Sequence, residues 1–207
     1  MNAQTQRLSV SGPAGVIEVA RDAAQGTARG LAFISHPHPL FGGTMDNKVV
    51  QTLARAFHQV GWDTVRYNFR GVGASQGSHD GGRGELEDLL ALIETLQPQG
   101  PLCLAGFSFG AFITGCACAR LHPRREIAKM VLVGTAAGRF EVTPIPSELH
   151  ERTLVIHGEA DDTVPLAAVM DWARPQVLPV TVIPGGGHFF HGQLPLLKNL
   201  VARHLNA

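Results

Sequence analysis

Gly106-Phe107-Ser108-Phe109-Gly110 is the stretch of the chain that decides its fold. An apolar run, 102–105, precedes it, and a long series of small residues, 111–119, follows it. An apolar run, a Gly-x-Ser-x-Gly turn and a small-residue helix form a nucleophile elbow, in which a serine sits on a sharp turn between strand and helix. The two glycines remove the Cβ atoms that would collide with that strand and helix. The pattern predicts that Ser108 projects from the edge of a sheet.

A nucleophilic serine needs a base, and the base needs a carboxylate to orient it. The apolar run 153–157 is followed by Asp161, and the run 179–183 leads through three glycines to His188. If these runs and 102–105 are parallel strands, the three polar residues emerge at the same carboxyl edge of the sheet. We therefore predict a triad of Ser108, Asp161 and His188. The competing assignments, which lie close by in sequence, are Asp162 and His191.

These residues resemble those of the α/β-hydrolase family, in which nucleophile, acid and histidine follow in that chain order. The segments 157–165 and 187–190 are similar to the family's acid-bearing stretch and histidine loop, and the likeness favours Asp161 and His188 over their competitors. The segments 36–48 and 68–75 resemble a small, lidless bacterial branch of serine esterases related to dienelactone hydrolases and carboxylesterases. The likeness covers nearly the whole chain. A dienelactone-type cysteine hydrolase is disfavoured, because the nucleophile position holds Ser108.

The resemblance also implies an oxyanion hole made of two backbone N–H groups. One belongs to the residue after the nucleophile, Phe109, and the other to the loop 36–43 that follows an early strand. The two prolines of that loop have no N–H to donate. The candidates that remain nearest the turn are His38, Leu40 and Phe41. Of these we favour Leu40.

The interval between the runs that end near Gly134 and begin near Thr153 is short and broken by two prolines. Many members of the resembled family carry a helical cap there. We predict that the cap is absent and that the serine lies in an open groove suited to short acyl groups. The expected walls are the loops 40–41, 71–75 and 189–190. The side chains predicted to contact substrate are His38, Phe41 and Phe189.

Charge and hydropathy limit the kinds of partner that the protein is expected to bind. The 207 residues include 17 Lys and Arg and 17 Asp and Glu, so no net field draws the chain to nucleic acid or to an anionic membrane. We expect a small-molecule substrate and neither a nucleic-acid nor a membrane partner. The first ten residues lack the apolar core of a secretory signal, and no apolar run approaches the ~18 residues of a membrane span. These features predict a cytoplasmic protein.

Two patterns that could suggest a cofactor are incomplete. His36 and His38 have no third ligand tied to them by spacing, and the three cysteines lack metal-ligand spacing and are expected in the core. The glycines 71, 73 and 77 depart from the dinucleotide-binding pattern, because the third is one residue late. We expect no metal and no cofactor.

Short apolar runs alternate with helical periodicity along the chain. Strands are predicted at 31–35, 64–69, 102–105, 130–134, 153–157 and 179–183, with a weaker edge strand at 16–20. Helices are predicted at 46–60, 85–96, 111–119, 165–173 and 194–205, and the helix at 85–96 opens with acidic residues. The predicted fold class is α/β: a single doubly wound α/β-hydrolase domain over 1–207, with a mostly parallel sheet, helices on both faces and no cap domain.

The leading functional hypothesis is a serine hydrolase that cleaves small carboxylic esters or thioesters through an acyl-enzyme intermediate. Peptidase or amidase activity on the same triad is an alternative. A non-catalytic binding protein of the same fold is a third possibility, and the presence of all three triad residues disfavours it.

Overall fold

The computed structural model describes residues 5–97 and 99–207, which form an eight-stranded sheet flanked by five α-helices. The strands are β1 (Gln6–Gly12), β2 (Gly15–Asp22), β3 (Leu31–Ser35), β4 (Asp63–Tyr67), β5 (Leu102–Phe107), β6 (Ile127–Val133), β7 (Thr153–Gly158) and β8 (Val180–Ile183). The helices are α1 (Lys48–Gln59), α2 (Arg83–Leu96), α3 (Phe109–Leu121), α4 (Leu166–Ala173) and α5 (Leu194–Asn206). Short 3₁₀ helices cover Pro39–Phe41, Ser147–Arg152 and Arg174–Gln176.

The strand order of the sheet creates a crevice at the nucleophile turn. The order is β1-β2-β4-β3-β5-β6-β7-β8, antiparallel from β1 to β4 and parallel from there to β8. The winding direction reverses at β3, which has β4 on one side and β5 on the other. Ligands bind at such switch points, beyond the carboxyl ends of the strands. Ser35 pairs with Gly106 at that edge, so the loop after β3 and the turn after β5 open on the same crevice.

Helices cover both faces of the sheet. On one face, α2, α3 and α4 bury apolar side chains such as Leu89, Ile113 and Val169. On the other face, α1 and α5 do the same with side chains such as Phe57 and Leu197. Each central strand is therefore buried on both faces, which explains why these strands are continuous apolar runs in the sequence. The predicted α/β class, with a mostly parallel sheet and helices on both faces, is confirmed.

Strand β1 was not predicted. It pairs with β2 in an antiparallel hairpin, with Leu8 opposite Val19 and Val10 opposite Ile17. Leu8 and Val10 pack against the core from one face, and Ser9 between them is exposed. Two apolar residues among polar ones are too few for a strand pattern, so this strand depends on pairing with β2 and not on its own composition.

The glycine-rich loop 71–77 folds back onto β2. The Ser75 hydroxyl accepts the N–H of Glu18 at 2.9 Å and donates to the carbonyl oxygen of Asn68 at 2.7 Å. The Glu18 carboxylate accepts from Nδ2 of Asn68 at 2.8 Å and from the N–H of Ala74 at 2.9 Å. Gly73 has φ 57°, and a Cβ there would lie 2.4 Å from Oε2 of Glu18. The loop's polar groups are thus bound by a strand, not directed to a ligand.

Residues 134–152, between β6 and β7, contain no cap. All of them are described, and they form a tight turn followed by the 3₁₀ helix Ser147–Arg152. Val142 and Ile145 lie against α3, where they approach Gly115. The prediction of a lidless architecture is confirmed. In the described part of the chain, no helix is long and apolar enough to cross a membrane.

The close approach of α3 to β3 gives a testable prediction. A Cβ on Gly110 would lie 2.3 Å from the carbonyl oxygen of Ser35 and 2.5 Å from that of His36. We expect Gly110→Ala to lower the free energy of unfolding by about 1–3 kcal/mol, because backbone atoms must move to admit the methyl group. Gly115→Ala is the matched control on the same helix, since its Cβ would meet no atom nearer than 3.6 Å.

The control should be neutral or stabilising by up to about 1 kcal/mol, because alanine favours the helix more than glycine does. Urea denaturation of both variants measures the difference. If the two variants had equal stability, the contact with the end of β3 would not exclude a side chain at position 110.

Candidate active site

Ser108 occupies the turn between β5 and α3 with φ 57° and ψ −117°. L-residues rarely adopt such a conformation, which costs on the order of 1–3 kcal/mol. The surroundings hold it in place: the N–H of Ser108 donates to the carbonyl oxygen of Val133 at 2.8 Å. A Cβ on Gly106 would lie 2.2 Å from the carbonyl oxygen of Gly110, so only glycine permits the turn. The turn presents the hydroxyl to the loops that follow β7 and β8.

Three buried side chains are joined by hydrogen bonds at this edge. Nε2 of His188 lies 3.0 Å from Oγ of Ser108, and Nδ1 of His188 lies 2.7 Å from Oδ2 of Asp161. Because an ionised carboxylate can only accept, Nδ1 carries the proton and donates it. Nε2 of the neutral ring is then left to accept the proton of the serine hydroxyl. The structure thus brings together the three residues predicted as a triad.

The Asp161 carboxylate is enclosed and bonded at both oxygens. Oδ1 accepts the backbone N–H groups of Thr163 at 2.9 Å and Val164 at 2.7 Å, and Oδ2 accepts from His188. Burial alone would raise the pKa of this carboxyl. The hydrogen bond with His188, together with those from Val164 and Thr163, outweighs burial and holds the pKa below its usual value. An ionised carboxylate can both orient the imidazole and stabilise its cation.

The competing residues lie outside this hydrogen-bonded set. Asp162 and His191 are both exposed. Asp162 accepts from the hydroxyl of Thr163 at 3.3 Å, and the ring of His191 stacks on that of Phe189 with centroids 6.0 Å apart. His157, near the end of β7, is buried and has Nε2 2.9 Å from the carbonyl oxygen of Val164. It therefore braces the loop that carries Asp161.

Two glycines at strand ends make room for the histidine loop. A Cβ on Gly134 would lie 3.3 Å from the ring of His188. A Cβ on Gly158 would lie 2.2 Å from the carbonyl oxygen of Gly186. A larger residue at either position would displace the loop, and with it the imidazole, from Ser108.

The loop after β3 uses most of its N–H groups internally. The N–H of Leu40 donates to Nδ1 of His38 at 3.2 Å, and the N–H of Phe41 donates to the carbonyl oxygen of His38 at 3.1 Å. Within residues 5–97 and 99–207 the structure records no acceptor for the N–H of His38 itself. His38 also lines the cavity beside Ser108, whereas Leu40 does not. This geometry disfavours the predicted donor Leu40 and favours His38, one of the alternatives.

His36 anchors the same loop from below. Its ring is fully buried, with Nδ1 2.6 Å from the carbonyl oxygen of Pro37, and its Nε2 accepts the N–H of Phe69 at 3.0 Å. Both nitrogens are thus engaged, so His36 cannot share a metal with His38. Burial lowers the pKa of His36 to about 4, although the bond to Pro37 opposes it. Among the described residues no three His, Cys, Asp or Glu side chains cluster as metal ligands.

A cavity of about 320 Å³ opens beside Ser108. Its apolar wall is formed by Phe41, Phe109, Ala136, Phe140, Val164 and Phe189. The three predicted groove residues, His38, Phe41 and Phe189, all line it. The predicted wall at 71–75 is wrong, because that loop is bound to β2, and Phe190 is fully buried. The turn after β6 forms the wall instead.

Behind His38 lies a pair that the sequence did not predict, the partly buried His79 and the buried Glu85. The ring of His38 lies 4.8 Å from that of His79, and Nδ1 of His79 lies 2.7 Å from Oε1 of the fully buried Glu85. Glu85 also accepts the N–H groups of Asp80 and Gly82, at 3.0 and 2.8 Å. The acidic residues at the predicted start of this helix pointed to its N-terminus as a place of interest. No spacing in the sequence identified His79 as the partner of Glu85. The pair ties the start of α2 to the loop after β3, through the contact of His79 with His38.

Comparison with known proteins assigns this arrangement to a family. The model of the family described as serine aminopeptidase, S33, matches residues 40–152. The crystal structure of XC6422 from Xanthomonas campestris, an α/β serine hydrolase without lid, superposes with a TM-score of 0.87. The alignment has 35% identity and covers 100% of this chain and 95% of that one. The protein belongs to the S33 family of α/β serine hydrolases.

Two further relatives agree with this assignment. An α/β serine hydrolase homologue from Coxiella burnetii is 38% identical, with a TM-score of 0.81 over 97% of both chains. RP471 of Rickettsia prowazekii is 42% identical over 111 residues, which make up 52% of this chain and 47% of that protein. The chain therefore matches about half the length of that curated relative. The family resemblance predicted from the sequence is confirmed.

The low pKa of His36 predicts that the stability of this S33 hydrolase depends on pH. An unfolded histidine protonates near pH 6.5, whereas the pKa of His36 in the fold is about 4. Between these values the unfolded state binds the additional proton, so stability should fall as pH falls from about 6.5 to about 4, by roughly 3 kcal/mol. Urea denaturation at pH values of about 7 and 4.5 measures this loss.

His36→Asn provides the comparison. The variant should be less stable near neutrality, because it loses the bond from Phe69, but it should lose less stability on acidification. The difference between the two proteins isolates His36 from the other histidines. An equal loss in both would contradict this role.

Proposed function

We propose that this protein is a serine hydrolase that cleaves small carboxylic esters or thioesters through an acyl-enzyme intermediate. The observation that carries the proposal is the buried, hydrogen-bonded series from Ser108 through His188 to Asp161. A serine hydroxyl is a weak nucleophile until an adjacent base, itself oriented by a carboxylate, activates it. A mostly apolar cavity of about 320 Å³ beside the hydroxyl suits a small organic substrate.

In the first half of the reaction, Oγ of Ser108 attacks the carbonyl carbon of the ester while its proton passes to Nε2 of His188. Asp161 stabilises the imidazolium that forms. The carbonyl electron pair moves onto the oxygen, which is stabilised by the N–H groups of Phe109 and His38. As the tetrahedral intermediate collapses, the bond to the alcohol or thiol breaks, and His188 gives its proton to the departing atom. Ser108 is left acylated.

In the second half, water replaces the alcohol or thiol. His188 takes a proton from the water as it attacks the acyl carbon, and the same N–H groups stabilise the second oxyanion. The bond from the acyl carbon to Oγ then breaks, and His188 returns the proton to Ser108. The net reaction consumes one water for each ester cleaved, and it requires no cofactor.

The family's description raises the alternative of an aminopeptidase. Such an enzyme must bind the α-ammonium group of a peptide, and a carboxylate at the site is the usual charge partner. Among the described residues that line the cavity, none is Asp or Glu, and Arg139 is present. A cavity with this charge favours an ester over a peptide with a free amino terminus. A purely binding protein would have no use for the hydrogen-bonded series at Ser108.

The nucleophile is tested by covalent labelling. A fluorophosphonate should add one adduct to the wild-type protein, and Ser108→Ala should fold normally and remain unlabelled. Intact mass measures the adduct. Labelling that survives Ser108→Ala would falsify the assignment of the nucleophile.

The base and the acid are tested against their sequence neighbours. His188→Ala should abolish hydrolysis of p-nitrophenyl acetate, and Asp161→Asn should lower kcat by about three to four orders of magnitude, because the imidazole loses its orienting partner. The matched controls His191→Ala and Asp162→Asn change exposed side chains outside the hydrogen-bonded set. If either control did more damage than its partner, the assignment would be wrong.

The donor role of His38 is tested by removing its N–H. His38 has φ −53° and ψ 124°, which proline adopts, so His38→Pro deletes the donor with little change of backbone. The control His38→Ala deletes the ring and keeps the N–H. We expect kcat of His38→Pro to lie roughly a hundredfold to a thousandfold below that of His38→Ala. Equal kcat values in two folded variants would exclude His38 and return attention to Leu40 and Phe41.

A further inference from the structure

Arg139 is the only lysine, arginine, aspartate or glutamate among the described residues that line the cavity beside Ser108. Apart from the histidines and Ser108, the other polar side chains of this lining, Asn47 and Thr163, are neutral. Arg139 lies in the turn 137–140 that follows β6. Arg139 is exposed, so it places a single charge at the rim of a mostly apolar cavity, where it can select among substrates.

The turn that carries Arg139 is held by its neighbours. The N–H of Phe140 donates to the carbonyl oxygen of Ala136 at 3.1 Å. The ring of Phe140 stacks on that of Phe112, with centroids 4.9 Å apart and planes 16° apart. It also meets the ring of Phe109 edge-on at 5.1 Å. Because Phe109 directly follows the nucleophile, the backbone at Arg139 is fixed relative to the reacting centre.

The protein does not neutralise this guanidinium. Arg66 and Arg70 pair with aspartates at 3.3 and 2.8 Å, but in the part of the chain that the structure describes no ion pair involves Arg139. The charge of Arg139 acts on His38, which lies in the loop after β3. Burial and the neighbouring His79 lower the pKa of His38, Glu85 opposes them, and the positive charge of Arg139 lowers that pKa further. Arg139 therefore lies close to the residue whose N–H is proposed to bind the substrate's carbonyl oxygen.

We propose that Arg139 selects substrates that carry a negative charge, so that the preferred substrate is a small ester with a carboxylate or similar anionic group. The inference rests on the proposed function and names the substrate class of the same site. A guanidinium presents paired N–H donors in the plane that a carboxylate needs. A cationic substrate would be repelled by the same group.

The test compares matched esters that differ in charge. The first pair, the mono-p-nitrophenyl ester of adipic acid and p-nitrophenyl hexanoate, places the carboxylate on the acyl side. The second pair, para-acetoxybenzoate and para-acetoxybenzamide, places it on the leaving group. The measured quantity is the ratio of kcat/KM for the anionic ester to that for its neutral partner. In the wild-type protein we expect a ratio of about ten in at least one pair, and that pair identifies which half of the substrate bears the charge.

Variants assign the preference to Arg139. Arg139→Gln should bring the ratio close to one, Arg139→Glu should reverse it, and Arg139→Lys should retain part of it, because lysine keeps the charge and loses the planar pair of donors. Arg55→Gln is the matched control, since Arg55 is exposed on α1 and does not line the cavity. Raising the ionic strength should lower the wild-type ratio, because salt screens a pair at an open mouth.

The outcomes separate the two proposals. A protein that hydrolyses none of the four esters and takes up no fluorophosphonate would overturn the proposed function and this inference together. Hydrolysis of neutral and anionic esters at equal rates would overturn only the inference. So would a wild-type preference that Arg139→Gln leaves unchanged or that Arg55→Gln removes equally.

Discussion

The backbone of α3 packs directly against the end of β3, and the geometry of the site depends on this contact. The carbonyl oxygens of Ser35 and His36 approach Gly110 so closely that no side chain fits between them. This contact fixes the nucleophile turn relative to the loop that follows β3, and it does so through backbone atoms, which cannot change rotamer. Ser108 can therefore be kept at a positive φ, because relaxing it would require α3 to move away from the sheet.

Polar interactions hold the loops in the way that apolar packing holds the sheet. Arg70 binds Asp88 through two bonds of 2.8 Å, and Glu85 joins His79 to the start of α2. Buried charged groups are costly without partners, so each pair fixes the loops that supply its members. Removing Arg70 would leave the buried Asp88 without its charge partner. The loops around Ser108 are thus specified by side chains that take no part in the proposed chemistry.

Much of this arrangement follows from local patterns in the sequence. The buried strands are continuous apolar runs, and Ser108, Asp161 and His188 each follow one of them at the carboxyl edge. The same reasoning missed β1, whose few apolar residues acquire meaning only opposite β2. It also misplaced the loop 71–75, because the partner that binds this loop, Glu18, lies more than fifty residues away along the chain.

The preference for Leu40 over His38 had a different basis. Sequence can exclude prolines as donors, but it does not reveal which of the remaining N–H groups a short 3₁₀ turn consumes. In the fold, the side chain and carbonyl oxygen of His38 accept the N–H groups of Leu40 and Phe41. Only the hydrogen-bond pattern of the folded loop distinguishes these residues.

The turn 137–140 also has a consequence for how this architecture can diversify. Ala137 and Phe140 form an isolated β-bridge, so the chain enters and leaves the turn at adjacent points. A segment inserted at Gly138 would begin and end side by side, and the strands on either side would keep their register. The entropic cost of a longer loop grows slowly, by roughly 0.6 kcal/mol for each doubling of its length. A lineage could therefore acquire or discard a whole covering subdomain by a single insertion or deletion here, while the strands that carry Ser108, Asp161 and His188 are inherited unchanged.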